Sequence, residues 1–486
     1  MLLEVLLIIP LVIAVLSYSI KNRALVQWMM VAGGASSFVI AVLLGLEVWS
    51  DGPYEHSIWY VDQLSVYMLC IITFVALMVA TYSVSYIRHD HEEKEIGTRQ
   101  LKMYHIFVQI FLFTMLVVVS SNNMGIMWIA IEGTTLASAF LVGFYEKDTS
   151  IEAAWKYIII CSVGITLALF GTIITYASST EVLGESSDAL NWTKLRDAAP
   201  LLEPTFLKIA FIFIVIGYGT KVGLVPMHTW LPDAHSQAPS PVSALMSGVL
   251  LNCAFYGIIR YYIISEIRVP GFAPDLMLIF GLLSLFVAAF FILISRDFKR
   301  MLAYSSVEHM GIISLGFGIG GPLGIFGAMF HMLNHSLTKT LMFLCTGNVV
   351  QKYNTREIGE VRGMATVMPI TAALFLLGAL AITGSPPFGP FLSEIVIMQA
   401  GLSYGRYIVT TVYVLLLVVV FAGFMYHVSR MVFGEPTEGV TRGEIHKLSL
   451  VPMTILLSTI LVIGIFMPEE LTNILREVAK VVPGSG

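Results

Sequence analysis

Long runs of apolar residues, separated by short polar stretches, fill most of this chain. Each run is long enough to cross the ~30 Å hydrocarbon core of a bilayer as an α-helix, which predicts about fourteen transmembrane helices. The pattern therefore indicates an all-α polytopic membrane protein. The predicted spans are 2–20, 24–48, 60–87, 103–120, 123–145, 151–178, 206–231, 238–264, 274–295, 301–320, 322–350, 366–401, 405–433 and 448–467.

Two of these spans contain a Gly/Pro interruption. Lys221 lies in an apolar run and is followed directly by Val-Gly-Leu-Val and Pro226. Proline removes a helix donor and clashes with the preceding turn, so the helix is expected to break there. A second interruption, Gly384 to Pro390, comes shortly before Glu394. Broken helices survive at membrane depth only inside protein or along a hydrated cavity, which predicts an ion path beside both breaks.

Composition excludes a soluble enzyme. Apolar residues make up 57% of the chain and charged residues 12%, and the mean hydropathy is +0.83, whereas a soluble domain carries about 25% charged residues. The net charge of −5 is spread over loops and does not indicate nucleic-acid binding. The four cysteines, isolated in apolar segments, have no metal or disulfide spacing; they are Cys70, Cys161, Cys253 and Cys345. With no Walker loop or dinucleotide fingerprint either, no cofactor is expected in this chain.

The loops differ in charge between the two sides of the predicted bundle. Lysines and arginines such as Lys21, Arg88, Lys94 and Arg300 concentrate in alternate loops, and the remaining loops carry few. Basic loops stay in the cytoplasm, so both termini are expected on the outer side. Glu4 stands where a signal peptide would have its basic region, so the first run is predicted to be a membrane helix.

Glu132 lies well inside the fifth apolar span. One interpretation is a structural carboxylate that binds the Thr134 or Thr135 hydroxyl. The other pairs Glu132 with Lys221, because opposite charges ~4 Å apart attract by about 4 kcal/mol at an effective dielectric of 20. In that case, movement of Glu132 relative to Lys221 would load and unload a proton.

His331, His335 and Lys339 follow one another at four-residue intervals in the span 322–350. This spacing places all three on one helix face. A single membrane histidine is more often a satisfied core residue, but three titratable groups on one face favour a proton relay. A histidine pair can also bind zinc, yet the zinc-peptidase pattern requires a glutamate where Met332 stands.

Residues 221–239 read Lys-Val-Gly-Leu-Val-Pro-Met-His-Thr-Trp-Leu-Pro-Asp-Ala-His-Ser-Gln-Ala-Pro. This segment resembles the signature of the antiporter-like subunits of respiratory complex I, energy-converting hydrogenases and Mrp antiporters. Residues 302–311 and 384–394 are most similar to the energy-converting hydrogenase branch. The resemblance covers nearly the whole chain.

The resemblance implies a fold of two inverted five-helix repeats with broken helices 7 and 12. It also implies N-terminal transmembrane helices in 1–120, an antiporter-like proton-translocating core in 121–405, and C-terminal helices with a short interfacial tail in 406–486. The expected location is a prokaryotic cytoplasmic membrane.

The family's functional residues map onto matching positions of this chain. Glu132 and Lys221 take the role of the switching pair, and Glu394 resembles the carboxylate at the outer exit. Asn252 is a departure, because several homologues carry a titratable lysine or histidine there. The expected proton path is Glu132, Lys221, Asn252, His331, His335, Lys339 and Glu394. Weaker candidates for cytoplasmic access are His228, Asp233, His235, Glu308 and His309.

The leading hypothesis is a proton-translocating subunit driven by electron transfer in other subunits. The resemblance implies further antiporter-like subunits, small membrane subunits, a homologue of the quinone-site membrane subunit, and a peripheral redox arm with iron–sulfur clusters and a nickel–iron centre. The alternative is a subunit of a multisubunit sodium/proton antiporter without a redox arm. A third hypothesis is an intramembrane metal hydrolase, which the missing glutamate disfavours.

Overall fold

The computed structural model describes residues 1–93 and 96–483, which form a bundle of helices with a small β-hairpin. The N-terminal helices are α1 (Leu2–Ser19), α2 (Arg23–Asp51), α3 (Gln63–Glu93), α4 (Thr98–Ser120), α5 (Met124–Val142) and α6 (Asp148–Leu183). The hairpin pairs β1 (Tyr54–His56) with β2 (Trp59–Val61) in antiparallel register, Tyr54 opposite Val61. Lys94, one of the basic loop residues, lies outside the described residues.

The middle of the chain contains shorter and interrupted helices. They are α7 (Trp192–Ala198), α8 (Pro204–Val222), α9 (Trp230–Gln237), α10 (Ser240–Leu245), α11 (Leu251–Arg268), α12 (Phe272–Ile294), α13 (Phe298–Ile319) and α14 (Gly321–Tyr353). A wide π turn, Met246–Leu250, joins α10 to α11. The remaining helices are α15 (Met364–Val367), α16 (Pro369–Ile382), α17 (Gly389–Ser403), α18 (Tyr407–Val432), α19 (Lys447–Phe466) and α20 (Glu469–Lys480).

Eleven helical segments in the described part of the chain are long and apolar enough to cross a membrane. They include α1 to α6, and the chain is an integral membrane protein. Three further predicted spans, 301–320, 322–350 and 366–401, are helical but are not among the eleven. The first two, α13 and α14, carry titratable side chains that lower their hydropathy, and the third is divided into α16 and α17.

Both predicted interruptions are present. Helix α8 ends at Val222, where Gly223 adopts φ +85°, and the helix resumes as α9. The freed backbone N–H of Val225 donates to Ser284 Oγ at 3.0 Å. The second break separates α16 from α17, with Gly384 at φ +66°. At each break, the chain between α8 and α9 or between α16 and α17 is a non-helical segment within the bundle.

The centre of the bundle is formed by the segment from α10 to α11 together with α13 and α14. Almost every residue of these helices is buried, polar side chains included. Helix α14 packs against α13, α16, α17 and α19. The C-terminal α20 is amphipathic and lays its apolar side on α3 and α14. The titratable residues of the central helices are therefore enclosed by protein.

Candidate functional site

Lys221 is the centre of a first polar cluster. It lies in the last turn of α8, fully buried, and its Nζ donates to Thr135 Oγ1 of α5 at 2.9 Å. The same ammonium donates a short hydrogen bond to the Tyr157 hydroxyl of α6. Tyr157 also makes a hydroxyl–hydroxyl bond with Ser138 of α5 at 2.7 Å. Three helices thus hold one cation.

Close packing of α6 and α8 brings Tyr157 and Lys221 together. A Cβ added at Gly217 would overlap the backbone of Ala168, so only glycine permits this approach of the two helices. After the break, Trp230 Nε1 donates at 2.8 Å to the Thr220 carbonyl, which also accepts from the Gly223 N–H, and the Trp230 ring packs 4.6 Å from the Tyr157 ring. The break therefore positions the lysine and is itself satisfied by hydrogen bonds.

Glu132 joins this cluster indirectly. Its Oε2 accepts from Thr135 Oγ1 at 3.2 Å, and its Oε1 accepts from Ser162 Oγ at 2.9 Å. The expected direct pair of Glu132 and Lys221 is corrected: the Thr135 hydroxyl stands between them, and no ion pair within 4.0 Å joins the two described side chains. Thr134, the other expected partner, donates to the Ile131 carbonyl of its own helix instead.

A second cluster is built around His331 of α14. Its Nε2 lies 2.8 Å from His309 Nδ1 of α13, and its Nδ1 lies 3.0 Å from Ser393 Oγ of α17. Asn334 Nδ2 donates to the same Ser393 hydroxyl at 3.1 Å. Ser393 lies in the first turns of α17, just after the second break. The break again brings a polar side chain to a buried titratable group.

The predicted stripe His331, His335 and Lys339 lies on the single helix α14. Lys339 is fully buried, and its Nζ donates to the Leu302 carbonyl of α13 at 3.1 Å. Neither ring nitrogen of the buried His335 has a hydrogen-bond partner among the described residues; its ring lies 5.5 Å from the His309 ring. His335 is thus a buried titratable group with free hydrogen-bonding capacity.

Lys339 and Glu394 do not form the expected pair. No ion pair within 4.0 Å joins them, and the carboxylate close enough to interact electrostatically with each of them is Glu308 of α13. Glu308 is buried and accepts from Ser305 Oγ at 3.2 Å. Glu308, a weaker candidate in the sequence, therefore interacts with both Lys339 and Glu394.

Glu394 lies directly over the second break. A Cβ added at Gly384 would overlap the Glu394 carboxylate, and Gly384 has a positive φ. Only glycine fits both conditions. The buried carboxylate therefore lies against the interruption, and no lysine among the described residues lies within 4.0 Å of it.

Asn252 of α11 is fully buried beside α14. Its Nδ2 donates to Ser336 Oγ at 2.7 Å and to the Met332 carbonyl at 3.3 Å, so that α11 is attached to α14. Its buried Oδ1 has no partner among the described residues. Asn252 consequently offers one free acceptor at the centre of the bundle and no titratable group.

The candidates for cytoplasmic access differ in their surroundings. Asp233 is paired with Arg300 and with Lys156, whose Nζ lies 3.4 Å from Asp233 Oδ2. His228 is mostly buried, and its ring lies 6.2 Å from that of Tyr304. His235 is fully buried and stacks on Phe343, with ring centroids 4.9 Å apart and free ring nitrogens. His235, with both ring nitrogens unpartnered, and His228, whose buried Nδ1 has no partner among the described residues, have the hydrogen-bonding capacity that a proton path requires.

A buried ion pair outside both clusters was not predicted. Arg260 of α11 binds both oxygens of Asp62 at 2.7 Å and lies 4.3 Å from the Trp192 ring. Burial alone would raise the pKa of Asp62, but the charge and hydrogen bonds of Arg260 hold that pKa below its ordinary value. The signal in the sequence was a lone arginine inside the apolar span 238–264.

The geometry gives no support to a metal site at the histidine pair. Both ring nitrogens of His331 contact protein partners, so neither is free for a metal. Within residues 1–93 and 96–483, no group of three or more His, Cys, Asp or Glu side chains is placed to hold an ion. The arrangement can hold and pass protons along hydrogen bonds.

Comparison of the sequence with protein families gives two matches. Residues 121–422 match the family described as NADH:quinone oxidoreductase/Mrp antiporter, TM, and residues 57–94 match NADH-Ubiquinone oxidoreductase (complex I), chain 5 N-terminus. A hydrogenase-4 component F homolog of Methylacidiphilum infernorum (isolate V4) is 40% identical over 392 residues, which cover 80% of this chain and 82% of that protein.

Solved structures share the fold. A chain of the membrane-bound sulfane sulfur reductase, an archaeal respiratory membrane complex, has a TM-score of 0.86 at 22% identity and covers 99% of this chain and 97% of its own. A chain of the Mrp complex from Dietzia sp. DQ12-45-1b has a TM-score of 0.86 at 19% identity, covering 98% and 96%. Together with the family match, these findings confirm the predicted family: the chain belongs to the NADH:quinone oxidoreductase/Mrp antiporter family of antiporter-like membrane subunits.

Proposed function

We propose that this chain is a proton-translocating subunit of a complex I-like redox complex, either an energy-converting nickel–iron hydrogenase of the formate hydrogenlyase type or a related NADH dehydrogenase-like complex. The 40% identity to a hydrogenase-4 component F homolog supports the hydrogenase branch. Electron transfer in partner subunits drives the protons, and those partners carry the iron–sulfur clusters and the nickel–iron centre.

The observation that carries this proposal is a series of buried titratable groups across the bundle. Lys221, Lys339 and His331 are fully buried, each at a helix contact in the centre of the protein. Ionisable groups at membrane depth cost about 2.5–3.5 kcal/mol each on insertion scales. A protein that needed only stability would not keep several such groups buried, so their function lies in proton transfer.

Lys221 and Glu132 form the first loading step. The two hydrogen bonds through Thr135 place the ammonium and carboxylate no more than about 6 Å apart. At an effective dielectric of ~20 the charges attract by about 3 kcal/mol. Movement of Glu132 away from Thr135 removes this attraction, and Lys221 then holds its proton less tightly. Released protons pass by Asn252 toward the second cluster.

His335, Lys339 and Glu308 take up protons in the second half, and Glu394 returns them to the outer side. Among the described residues, the His335 ring nitrogens have no partner and the Lys339 ammonium donates only to a carbonyl, so both can exchange partners. We place the cytoplasmic access at His235 and the neighbouring candidates.

We further infer an arrangement of fourteen helices with two inverted five-helix repeats, and with helices 7 and 12 broken. The domains are 1–120, 121–405 and 406–486, both termini lie on the outer side, and the membrane is the prokaryotic inner membrane. The interruptions at α8–α9 and α16–α17 support this arrangement, as each adjoins one cluster.

The test is purification of the native complex, identification of its partners by mass spectrometry, and measurement of proton uptake into inverted vesicles. Co-purification of a nickel–iron subunit and uptake that requires the electron donor support the proposal. A sodium/proton antiporter is the second candidate, because the Mrp chain has an equally high TM-score. Sodium-driven proton exchange without an electron donor, in a complex without redox subunits, would establish that candidate instead.

A further inference from the structure

A basic cavity opens where the ends of α1, α2, α3 and α4 meet. Its volume is about 290 Å³, roughly ten times the ~30 Å³ that one water molecule occupies in the liquid. Four cationic side chains line it, Lys21, Arg23, Arg88 and Lys102, and Glu92 is the one carboxylate among its lining residues. The cavity is therefore large enough for a small charged group and strongly favours an anion.

These four cations have no carboxylate partner among the described residues; every ion pair within 4.0 Å joins other side chains. Residues 94 and 95, which lie outside the described part of the chain, are a lysine and a glutamate and add no net charge. Four positive charges around one cavity repel each other, and a bound anion would relieve this repulsion.

Two of the cations are already fixed in place. Arg23 donates to Thr98 Oγ1 at 2.6 Å and contacts the His91 ring, and Lys102 Nζ donates to the Tyr18 carbonyl at 2.7 Å. In contrast, Lys21 and Arg88 donate no side-chain hydrogen bond to the described residues and remain available to a ligand.

The cavity adjoins the surface that faces lipid. Tyr18, Leu25 and Trp28, beside the loop between α1 and α2, are 68%, 49% and 51% exposed. Aromatic residues at the end of membrane helices mark the headgroup level of a bilayer. An anion bound in the cavity can therefore be attached to acyl chains that lie along these apolar side chains.

We propose that the cavity bounded by Lys21, Arg23, Arg88 and Lys102 binds the phosphate-bearing headgroup of an anionic membrane phospholipid. Basic pockets between membrane helices are a recognised way to hold anionic headgroups. Arg23 and Lys102 form a fixed base, and Lys21 and Arg88 close over the phosphate. The site attaches α1 and α2 to α3 and α4 and is separate from the proton path, so it does not depend on the proposed function.

The test uses the full chain in its native complex, reconstituted in nanodiscs of phosphatidylcholine with increasing phosphatidylglycerol. The variant is Lys21→Gln with Arg88→Gln, which removes two exposed charges without breaking a hydrogen bond between described side chains. The control is Arg442→Gln with Lys447→Gln, two exposed basic residues outside the cavity. Bound phosphatidylglycerol is measured by native mass spectrometry, and thermal stability is followed in the same samples.

Each basic side chain near an anionic lipid contributes about fivefold to affinity, so the cavity variant should bind phosphatidylglycerol about 25-fold more weakly. The control variant should bind it as the wild type does, and the lipid should raise the thermal stability of the wild type and the control only. Equal binding by all three proteins, or an equal loss in both variants, would overturn the site. Stabilisation by inorganic phosphate but not by phosphatidylglycerol would overturn the lipid assignment.

Discussion

Lys221 and Glu132 share a single hydroxyl, that of Thr135, which accepts from the ammonium at 2.9 Å and donates to the carboxylate at 3.2 Å. Because the Thr135 hydroxyl both accepts and donates, it forms a continuous hydrogen-bond chain. The chain runs from the Lys221 ammonium, as donor, to the Glu132 carboxylate, as acceptor. The two charges therefore interact electrostatically through Thr135 without a direct ion pair, which would hold the proton on Lys221.

Thr135→Val should interrupt this line and stop proton uptake, while the complex remains assembled. The isosteric change removes two hydrogen bonds to charged groups, each contributing about 1.5–3 kcal/mol. Thr135→Ser should restore uptake, because it restores the hydroxyl. Uptake into inverted vesicles is the measurement. Thr134→Val is the matched control, since within the described part of the chain the buried Thr134 hydroxyl binds only the Ile131 carbonyl. An equal loss in this control would contradict the assignment.

Lys221→Met should abolish proton uptake and leave assembly intact. Methionine fills similar space and removes the titratable donor without adding a buried charge. Turnover-driven acidification of inverted vesicles and the yield of intact complex are measured together. Near-normal uptake in an assembled Lys221→Met complex would exclude Lys221 from the proton path.

Glu308→Gln and Lys339→Met should each be harmful to stability, but the double variant should be less harmful than the sum of the two. Glu308 and Lys339 attract each other although no ion pair within 4.0 Å joins them, so the loss of either charge removes stabilisation from the other. A double-mutant cycle on thermal unfolding of the complex measures the coupling. The cycle of Glu394→Gln with Lys339→Met is the comparison and should be nearly additive. Stronger coupling in this second cycle would restore the pairing of Lys339 with Glu394.

Gly384→Ala should destabilise the complex far more than Gly405→Ala. Both glycines have a positive φ, +66° and +73°, but an added Cβ meets the Glu394 carboxylate at residue 384 and nothing within 4 Å at residue 405. The left-handed backbone costs about 1–2 kcal/mol at either position, and crowding adds about 1–3 kcal/mol at Gly384. Thermal unfolding is measured, and Glu394→Ala should rescue Gly384→Ala in part. Equal effects at the two glycines would show that the carboxylate is not held there.

Asp62→Asn should lower the stability of the complex by about 3–5 kcal/mol, since Arg260 would keep its charge without a counter-charge. Asp275→Asn is the control and should cost less than about 1 kcal/mol, because the Asp275–Arg406 pair is exposed. The pKa of Asp62 is lowered in the folded protein, so its contribution is complete above the unfolded value of about 3.9 and is lost as the pH falls through the folded value. The difference between wild type and Asp62→Asn should therefore be constant from pH 7 to about 4. A difference that shrinks already near pH 6 would contradict the assignment.

The sequence predicted those features that depend on local periodicity. The stripe of His331, His335 and Lys339 follows from four-residue spacing on one helix, and both breaks follow from Gly/Pro patterns in apolar runs. The Thr135 bridge, the contact of His309 with His331 and the position of Glu308 depend on how α5, α8, α13 and α14 approach each other. Spacing along the chain contains no information on such distances between helices.

Polar residues of the site explain why two predicted spans, α13 and α14, are not among the eleven helices that are apolar enough to cross a membrane. Glu308 in α13 and His331 and Lys339 in α14 lower the mean hydropathy of these two helices. Arg260 could have been singled out from the sequence as a lone charge in an apolar span, but its partner Asp62 is 198 residues away along the chain.

The wide turn at Met246–Leu250 determines which way the helix after it faces. Within the turn, Ser247 meets Ser306 of α13 at 2.7 Å; after it, Asn252 meets Ser336 of α14 at 2.7 Å. One residue corresponds to about 100° of rotation in an α-helix, so a regular turn here would carry the Asn252 amide away from α14. The local pitch of one helix therefore decides whether the Asn252 amide reaches the Ser336 hydroxyl and so whether α11 is attached to α14.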